Sequence, residues 1–374
     1  MSEDIKLFVS CHKLDTHIPD NALLQPIQVG AALAASRMPN LLHDDEGDSI
    51  SEKNRSYCEL TGQYWAWQNT DADYYGFLHY RRYFNFSKTE YPIHHEPFIF
   101  GDVTFDRNDD ETLQRIDFNE EAMRKVITAH DFIAPEPIEA LEKTTVYEQY
   151  RDSFGHHIED LDTVMDNIRL KYPDIWPSAQ KYLNQTKVYV CNMFVMRREL
   201  FRAYSAFLFD VLSTHEKMRD FSHYSPVARR VSGYLGERIC GMYLTYLYDK
   251  GYDGIDLQRV YFRNTDDGQR PATATGTTSE IETLNFGATV RGPGKIYSAI
   301  HAEHLSDDWQ FRISSTTSDG KQVPAKVVQA ASDPVAVFPI VAQSQTVSVS
   351  AVDSDGRTRA QGSKTFNRRA AQLM

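Results

Sequence analysis

Cysteine is scarce in this sequence. Cys11, Cys58, Cys191 and Cys240 are scattered over 374 residues, and no two stand in a Cys-x-x-Cys spacing. That argues against a disulfide-stapled scaffold and a thiolate zinc site. The four read as reduced core residues of a cytoplasmic protein. Long hydrophobic runs are also missing. None approaches the ~20 residues of a membrane-spanning helix, and Met1–Asp4 leads into a strand-like run instead of a signal peptide, so membrane contact is expected only at the periphery. Basic charge is in deficit: 40 Lys and Arg against 52 Asp and Glu give a net charge of −12. Duplex nucleic acid needs a basic footprint, so no nucleic-acid partner is expected. Local clusters such as Arg81-Arg82 and Arg229-Arg230 still suit a small anionic ligand.

Apolar and aromatic residues are plentiful, at 41% and 12%, which makes the chain globular and long enough for more than one domain. Its organising stretch is Gly47–Phe84. Asn54 to Asn69 carries Tyr57, Leu60, Tyr64, Trp65 and Trp67 at helical spacings, with Ser51 as N-cap and Asn69 as stop. Tyr74 to Tyr80 then reads as a buried strand running into Arg81 and Arg82. An imidazole (His79) and two guanidiniums at the carboxyl end of a buried strand suit an anion site in an open α/β sheet. The alternative is a packed His79 with two surface ion pairs.

Along the chain, Ile5–Ser10 predicts a first strand ending at His12 and Lys13, a second basic pair at a strand end. Asp48 suits either a ribose hydroxyl or the cap of the next helix. Asn85–Asn119 is polar and reads as an irregular insert, a lid or acceptor loop. Glu120–His130 predicts a helix and Asp131–Pro135 a strand. His156-His157 invites a metal, but adjacent positions diverge and neither has a second His four residues on. Lys187–Arg197 predicts a strand broken by Asn192, whose amide needs either backbone or ligand. Helices follow over Glu199–Met218 and Val227–Tyr248. Glu237 opens the second of them, as a general base or as an acid that complements the helix dipole.

At Arg263–Ser279 the composition turns to Asn, Thr, Asp, Gly and Pro, a linker. Short alternating runs with Ser-Asp-Gly and Arg-Gly-Pro-Gly turns follow, from Gly287–Val290 to Thr346–Val352, and predict an antiparallel sandwich. The expected boundaries are 1–265, a linker over 266–279, a sandwich over 280–365 and a tail over 366–374.

In this order, ISEKN, YCELTGQYWAWQN, YYGFLHYRRYF, NMFVMRRELF and GYLGERI resemble a bacterial glycosyltransferase family of polysaccharide loci, formerly a domain of unknown function and associated with galactofuranosyl transfer. The resemblance covers about residues 3–262. It implies a GT-A-like α/β fold, a mainly parallel sheet with helices on both faces, followed here by the small antiparallel β-sandwich. It also implies transfer of galactofuranose from UDP-galactofuranose to a hydroxyl of an O-antigen or capsule glycan, with inversion. Another nucleotide sugar, or a glycan-binding protein without turnover, stays open. The acceptor would be a lipid-linked or oligosaccharide galactosyl group, which places the protein in the cytoplasm or at the periphery of the inner membrane. The sandwich would serve homo-oligomerisation or a second transferase domain.

The chemistry needs a base for the acceptor hydroxyl and positive charge for the leaving diphosphate. Glu237 is the first choice of base and Glu59 the second. Donor binding is assigned to His12, Lys13, Asp48, Asn54, His79, Tyr80, Arg81, Arg82, Asn192 and Arg238. The triplet Asp71-Ala72-Asp73 resembles a metal-binding Asp-x-Asp, but it precedes its strand. No cofactor is expected, and a divalent metal is left open.

Overall fold

The computed structural model describes residues 3–12, 17–96, 99–140, 144–153, 155–225 and 227–265, and, further on, 282–283, 286–291, 295–300, 310–323, 326–328, 335–339, 344–352 and 358–367. The chain divides into two compact units, Met1–His94 with Gly101–Pro271, and His95–Phe100 with Ala272–Met374.

The first unit is built on a sheet of β1 (Ile5–Cys11), β2 (Leu24–Gln28), β3 (Leu42–His43), β4 (Tyr74–His79), β7 (Phe132–Pro135), β8 (Phe194–Arg197) and β9 (Gly254–Leu257), in the spatial order β3-β2-β1-β4-β8-β7-β9. Strands β3, β2, β1 and β4 are parallel, and so are β7 and β9. β8 runs antiparallel to both β4 and β7, so it alone is reversed among these seven. A side branch leaves β4 at the tight pairing of His79 with Arg82. There β5 (Arg82–Phe84) runs antiparallel to β10 (Arg259–Asn264), which lies parallel to β6 (Ile99–Arg107).

Both faces of the sheet are covered, which is why its strands read as nearly unbroken apolar runs. Phe8, Phe77, Phe132 and Phe194 point into one core with the large helices. The alternate positions Leu7, Val9, Leu78, Val195 and Ile133 point into a second core with Tyr83, Phe84 and Phe118. Gly76 lies beside Leu7 in the register, where a Cβ would come 2.4 Å from a Leu7 methyl. The helices of the first core are α2 (Leu60–Asn69), α4 (Val146–Asp152), α5 (Ile158–Lys171), α6 (Trp176–Asn184), α7 (Arg198–Met218) and α8 (Val231–Asp249), while α1 (Asn54–Tyr57) precedes α2 and α3 (Glu120–Ile127) serves the second core. None of the described helices is long and apolar enough to cross a membrane.

Five local readings of the sequence are corrected. The aromatic helix is two pieces, because Cys58 takes a left-handed φ of 51° and breaks it. Ser51 caps neither piece; its hydroxyl donates to Asp44. The stretch Asn85–Asn119 is not an irregular loop, since it contains β6 and a helix over Asp110–Arg115 capped by Asp109. Lys187–Arg197 is not one strand: only Phe194–Arg197 joins the sheet, and Cys191 (φ 78°) and Asn192 (φ 46°) form a left-handed turn before it. Glu237 lies in the second turn of α8, not at its start, so the helix-dipole reading lapses.

The second unit holds two sheets. One orders Glu282–Thr283, Thr358–Asn367, Ser344–Val352, Gln310–Thr317 and Gln322–Val323, and the other Phe286–Arg291, Lys295–Ile300, Val335–Pro339 and Lys326–Val328. Every pairing is antiparallel except that of Glu282–Thr283 with Thr358–Asn367. The sequence placed short strands here, and the described residues form short, mostly antiparallel strands. The linker over 266–279 and the end of the tail, 368–374, lie outside the described residues.

Candidate functional site

The reversal of β8 decides where the site forms. At the edge where β1 and β4 end, β8 begins, so the turn that precedes it meets Ser10 and His79 there. A cavity of about 150 Å³ opens at this edge. Its floor is Phe77, Leu78 and Ser10, with Glu59 and Gln63 from the head of α2 on one wall. Cys191 and Asn192 supply a second wall, and Arg230, just ahead of α8, with Glu237, in its second turn, a third; His79 and Arg82 complete it.

Two carboxylates share this space, and each is held differently. Glu237 accepts from the backbone N–H of Cys191 at 2.9 Å through Oε1, and its Oε2 lies 3.5 Å from Arg238 Nη1. Glu59 accepts from Asn192 Nδ2 at 2.7 Å. Burial raises the pKa of Glu59, and the charge of Glu237 adds to that, while the Asn192 hydrogen bond and Arg230 oppose it. The left-handed turn explains the arrangement: it directs the Cys191 N–H to one carboxylate and the Asn192 amide to the other. Two successive non-glycine residues with positive φ are costly, and such strain gathers at functional sites.

On the cationic side, Arg82 has its Nε 3.5 Å from Asp102 Oδ2, and its guanidinium lies over the Tyr261 ring, 4.9 Å from the centroid. Asp102 also accepts from the buried Arg259. The backbone N–H of Arg81 donates to His79 Nδ1 at 3.2 Å, which fixes Nδ1 as an acceptor and leaves the proton on Nε2. Burial and the charges of Arg82, His12 and Arg81 push the pKa of His79 well down. It is therefore a neutral donor at neutral pH, not the positive charge that the sequence reading gave it.

Of the residues singled out from the sequence, Glu59, His79, Arg82, Asn192 and Glu237 line the cavity together. His12 stands next to them, its ring 6.0 Å from that of His79. The others do not meet there. Tyr80 is buried between His12 and Arg81, and Arg81 turns to the Tyr261 hydroxyl at 3.5 Å. Arg238 is buried and does not line the cavity; it donates to Gln149 Oε1 at 2.6 Å. Asn54 bonds the Cys58 carbonyl and the Thr61 hydroxyl behind the wall. Asp48 is exposed at the other end of α2, where it accepts from Tyr64 Oη at 3.2 Å. Lys13 lies outside the described residues. Sequence reasoning missed Gln63, Cys191 and Arg230, although the Arg229-Arg230 doublet was a visible signal for the last.

Asp71 and Asp73 stand before β4, at the opposite edge, paired with Arg202 at 3.2 Å and Arg198 at 3.0 Å. His156 packs between Tyr150 and Tyr234, and His157 on Tyr224, so their rings serve packing. Among the described residues, no three His, Cys, Asp or Glu side chains gather as a metal site would require.

Among solved structures, the apo form of the bifunctional glycosyltransferase WbbM is similar to this chain, with a TM-score of 0.66 and 29% identity over 75% of the chain. The match covers 48% of that protein, so this chain spans about half its length. No curated protein matches the chain. Residues 6–248, which include both core faces and every wall of the cavity, match the family described as Domain of unknown function (DUF4422), and the chain belongs to that family.

Proposed function

We propose that the first unit is a glycosyltransferase whose reaction centre is the cavity at the carboxyl edge of β1 and β4. The observation that carries the reading is the meeting of Glu59 and Glu237 with His79 and Arg82 in one cavity, assembled from distant segments. The likeness to WbbM, a bifunctional glycosyltransferase, supports it. At about 150 Å³ the cavity is smaller than the ~300–1,000 Å³ of pockets for drug-sized ligands, so it suits the reacting end of a nucleotide sugar.

The donor we assign is UDP-galactofuranose and the acceptor a galactosyl hydroxyl of a growing cell-surface glycan. The acceptor oxygen attacks the anomeric carbon from the face opposite the diphosphate, and the configuration inverts. As the new C–O bond forms, the hydroxyl proton passes to Glu237, or in the second assignment to Glu59. The bond to the diphosphate breaks and its electron pair leaves with the phosphate oxygen. Arg82 supplies positive charge at this edge and neutral His79 an N–H donor, so transfer is expected without a divalent metal.

The test is a transfer assay with UDP-galactofuranose, generated from UDP-galactopyranose by a mutase, and a synthetic galactosyl acceptor. Product that requires the mutase, survives EDTA and disappears in Glu237→Ala and Glu59→Ala supports the whole reading. Product without the mutase moves the donor to a pyranose sugar. Loss with EDTA and recovery with manganese would overturn the metal-free assignment. A folded protein that turns over no nucleotide sugar would leave a glycan-binding role.

A further inference from the structure

Several arginines of the first unit face a carboxylate directly: Arg198 meets Asp73, Arg197 meets Asp131 and Arg219 meets Asp160. Arg230, on the short turn Ala228–Arg230 ahead of α8, is held differently. Its Nε donates to the Cys58 sulfur at 3.4 Å, and its guanidinium lies over the Tyr234 ring, 5.5 Å from the centroid. Burial pushes the Cys58 thiol up to about 11, so this acceptor is uncharged at neutral pH. The thiol and the ring orient the guanidinium without cancelling its charge. Among the described residues no carboxylate lies within ion-pair distance of Arg230, although it senses Glu59 from farther away.

The neutral cradle is a built feature. Cys58 reaches Arg230 from the left-handed break between α1 and α2. Gly233, one turn into α8, makes room for it: a Cβ there would come 3.0 Å from Cys58 Sγ and 3.2 Å from Cys58 Cβ. The exposed guanidinium then lines the cavity beside Glu59 and Glu237.

We propose that Arg230 is the clamp for the leaving diphosphate, and that Cys58 is a positioning residue that aims it while leaving its charge unspent. The proposal rests on the glycosyltransferase reading. When the bond from the anomeric carbon to the phosphate oxygen breaks, its electron pair stays with the diphosphate, and the guanidinium meets that charge with paired N–H donors. A carboxylate at position 58 would aim Arg230 equally well but would neutralise it.

The experiment is UDP binding to the full chain in EDTA, by calorimetry at low and high salt, with thermal unfolding of every variant alongside. Arg230→Gln, at an exposed position, is expected to fold normally and bind UDP about 10- to 100-fold more weakly. Cys58→Ser should stay within about threefold of wild type, and Cys58→Asp should bind as weakly as Arg230→Gln. The gap between wild type and Arg230→Gln should narrow at high salt. Equal UDP binding by wild type and folded Arg230→Gln would overturn the clamp and leave the transferase reading intact. Wild-type binding by a folded Cys58→Asp would overturn the positioning role. If wild type binds neither UDP nor any UDP-sugar, the transferase reading falls with the clamp.

Discussion

Asn192 donates through Nδ2 to Glu59 Oε1 across 2.7 Å, which ties the turn before the reversed strand to the head of the aromatic helix. Asn192 is 5% exposed, and its second amide contact, to the Gly233 carbonyl at 3.4 Å, fixes which way the amide points. The bond favours ionised Glu59, whereas burial favours the neutral acid, and burial wins. Glu59 thus titrates above the usual carboxylate range. Where the reaction needs it ionised, activity should rise as pH climbs through that value. Removing the donor with Asn192→Ala should move this acid limb further upward, read from a pH–rate profile. An unmoved limb would separate Asn192 from the titration.

The same shift predicts a trade between stability and activity. The folded protein holds the Glu59 proton more tightly than the unfolded chain does, so stability falls as pH rises from the unfolded value through the raised folded one. Glu59→Gln keeps an oxygen to accept from Asn192 and removes the buried charge. Its melting temperature should match wild type near pH 4 and exceed it at pH 8, while transfer falls. A melting difference that does not grow with pH would contradict this.

Glu237→Gln tests the proposed base. Its oxygen can still accept the Cys191 N–H, so the turn should survive the substitution. The turnover rate should fall about 10²- to 10⁴-fold with little change in donor KM. A loss confined to KM would make Glu237 a binding residue.

Asp160 holds the far side of the helical layer. It is fully buried on α5 and accepts from His215 at 3.0 Å, Arg219 at 3.1 Å and Tyr224 at 2.8 Å. Burial alone would raise its pKa, but these hydrogen bonds and charges outweigh it and hold the pKa down. Its contribution should therefore be present above the ordinary carboxylate range and be lost as pH falls through the depressed folded value. Asp160→Ala leaves a buried partner uncompensated and should cost about 3–5 kcal/mol in urea unfolding at pH 7. A cost within 1 kcal/mol, roughly that of an exposed pair, would show that the network adds little.

In the middle of the sheet, Gly76→Ala should destabilise the fold by about 1–3 kcal/mol without a direct effect on the cavity. The added methyl would come 2.4 Å from Leu7 Cδ2 and 3.1 Å from Val195 Cγ2, on both flanking strands. A neutral effect would mean that Leu7 finds another rotamer.

The long helices and the central strands were legible because their signals are local. Glu199–Met218 was read one residue short of the observed Arg198–Met218, and Tyr74–Tyr80 one residue long. Asn192 stood out as a polar group inside an apolar run, Glu59 as a carboxylate in the aromatic helix and Glu237 as one near a helix start, and all three line the cavity. What failed depends on three dimensions. Nothing near Cys58 says that its φ is positive, since left-handed residues are usually Gly or Asn. The polar tract Asn85–Asn119 hid β6, whose partner β10 lies more than 150 residues away. Arg81 and Arg82 look alike in the sequence, and both touch Tyr261, yet of the two it is Arg82 that lines the cavity. The direction of β8 was hidden too, and with it the reason Asn192 arrives at the cavity.

The cavity takes its walls from residues 10, 59–63, 77–82, 191–192 and 230–237, a span that threads nearly the whole first unit. No contiguous fragment contains it, and no single helix or hairpin can preserve it once the others loosen. Ligand affinity therefore works as a gauge of complete assembly: damage to the sheet centre or to the Asp160 network should register at the site, however far away it begins. A small molecule that binds there would act as a fastener for the unit, coupling five separate stretches of chain into one cooperative event.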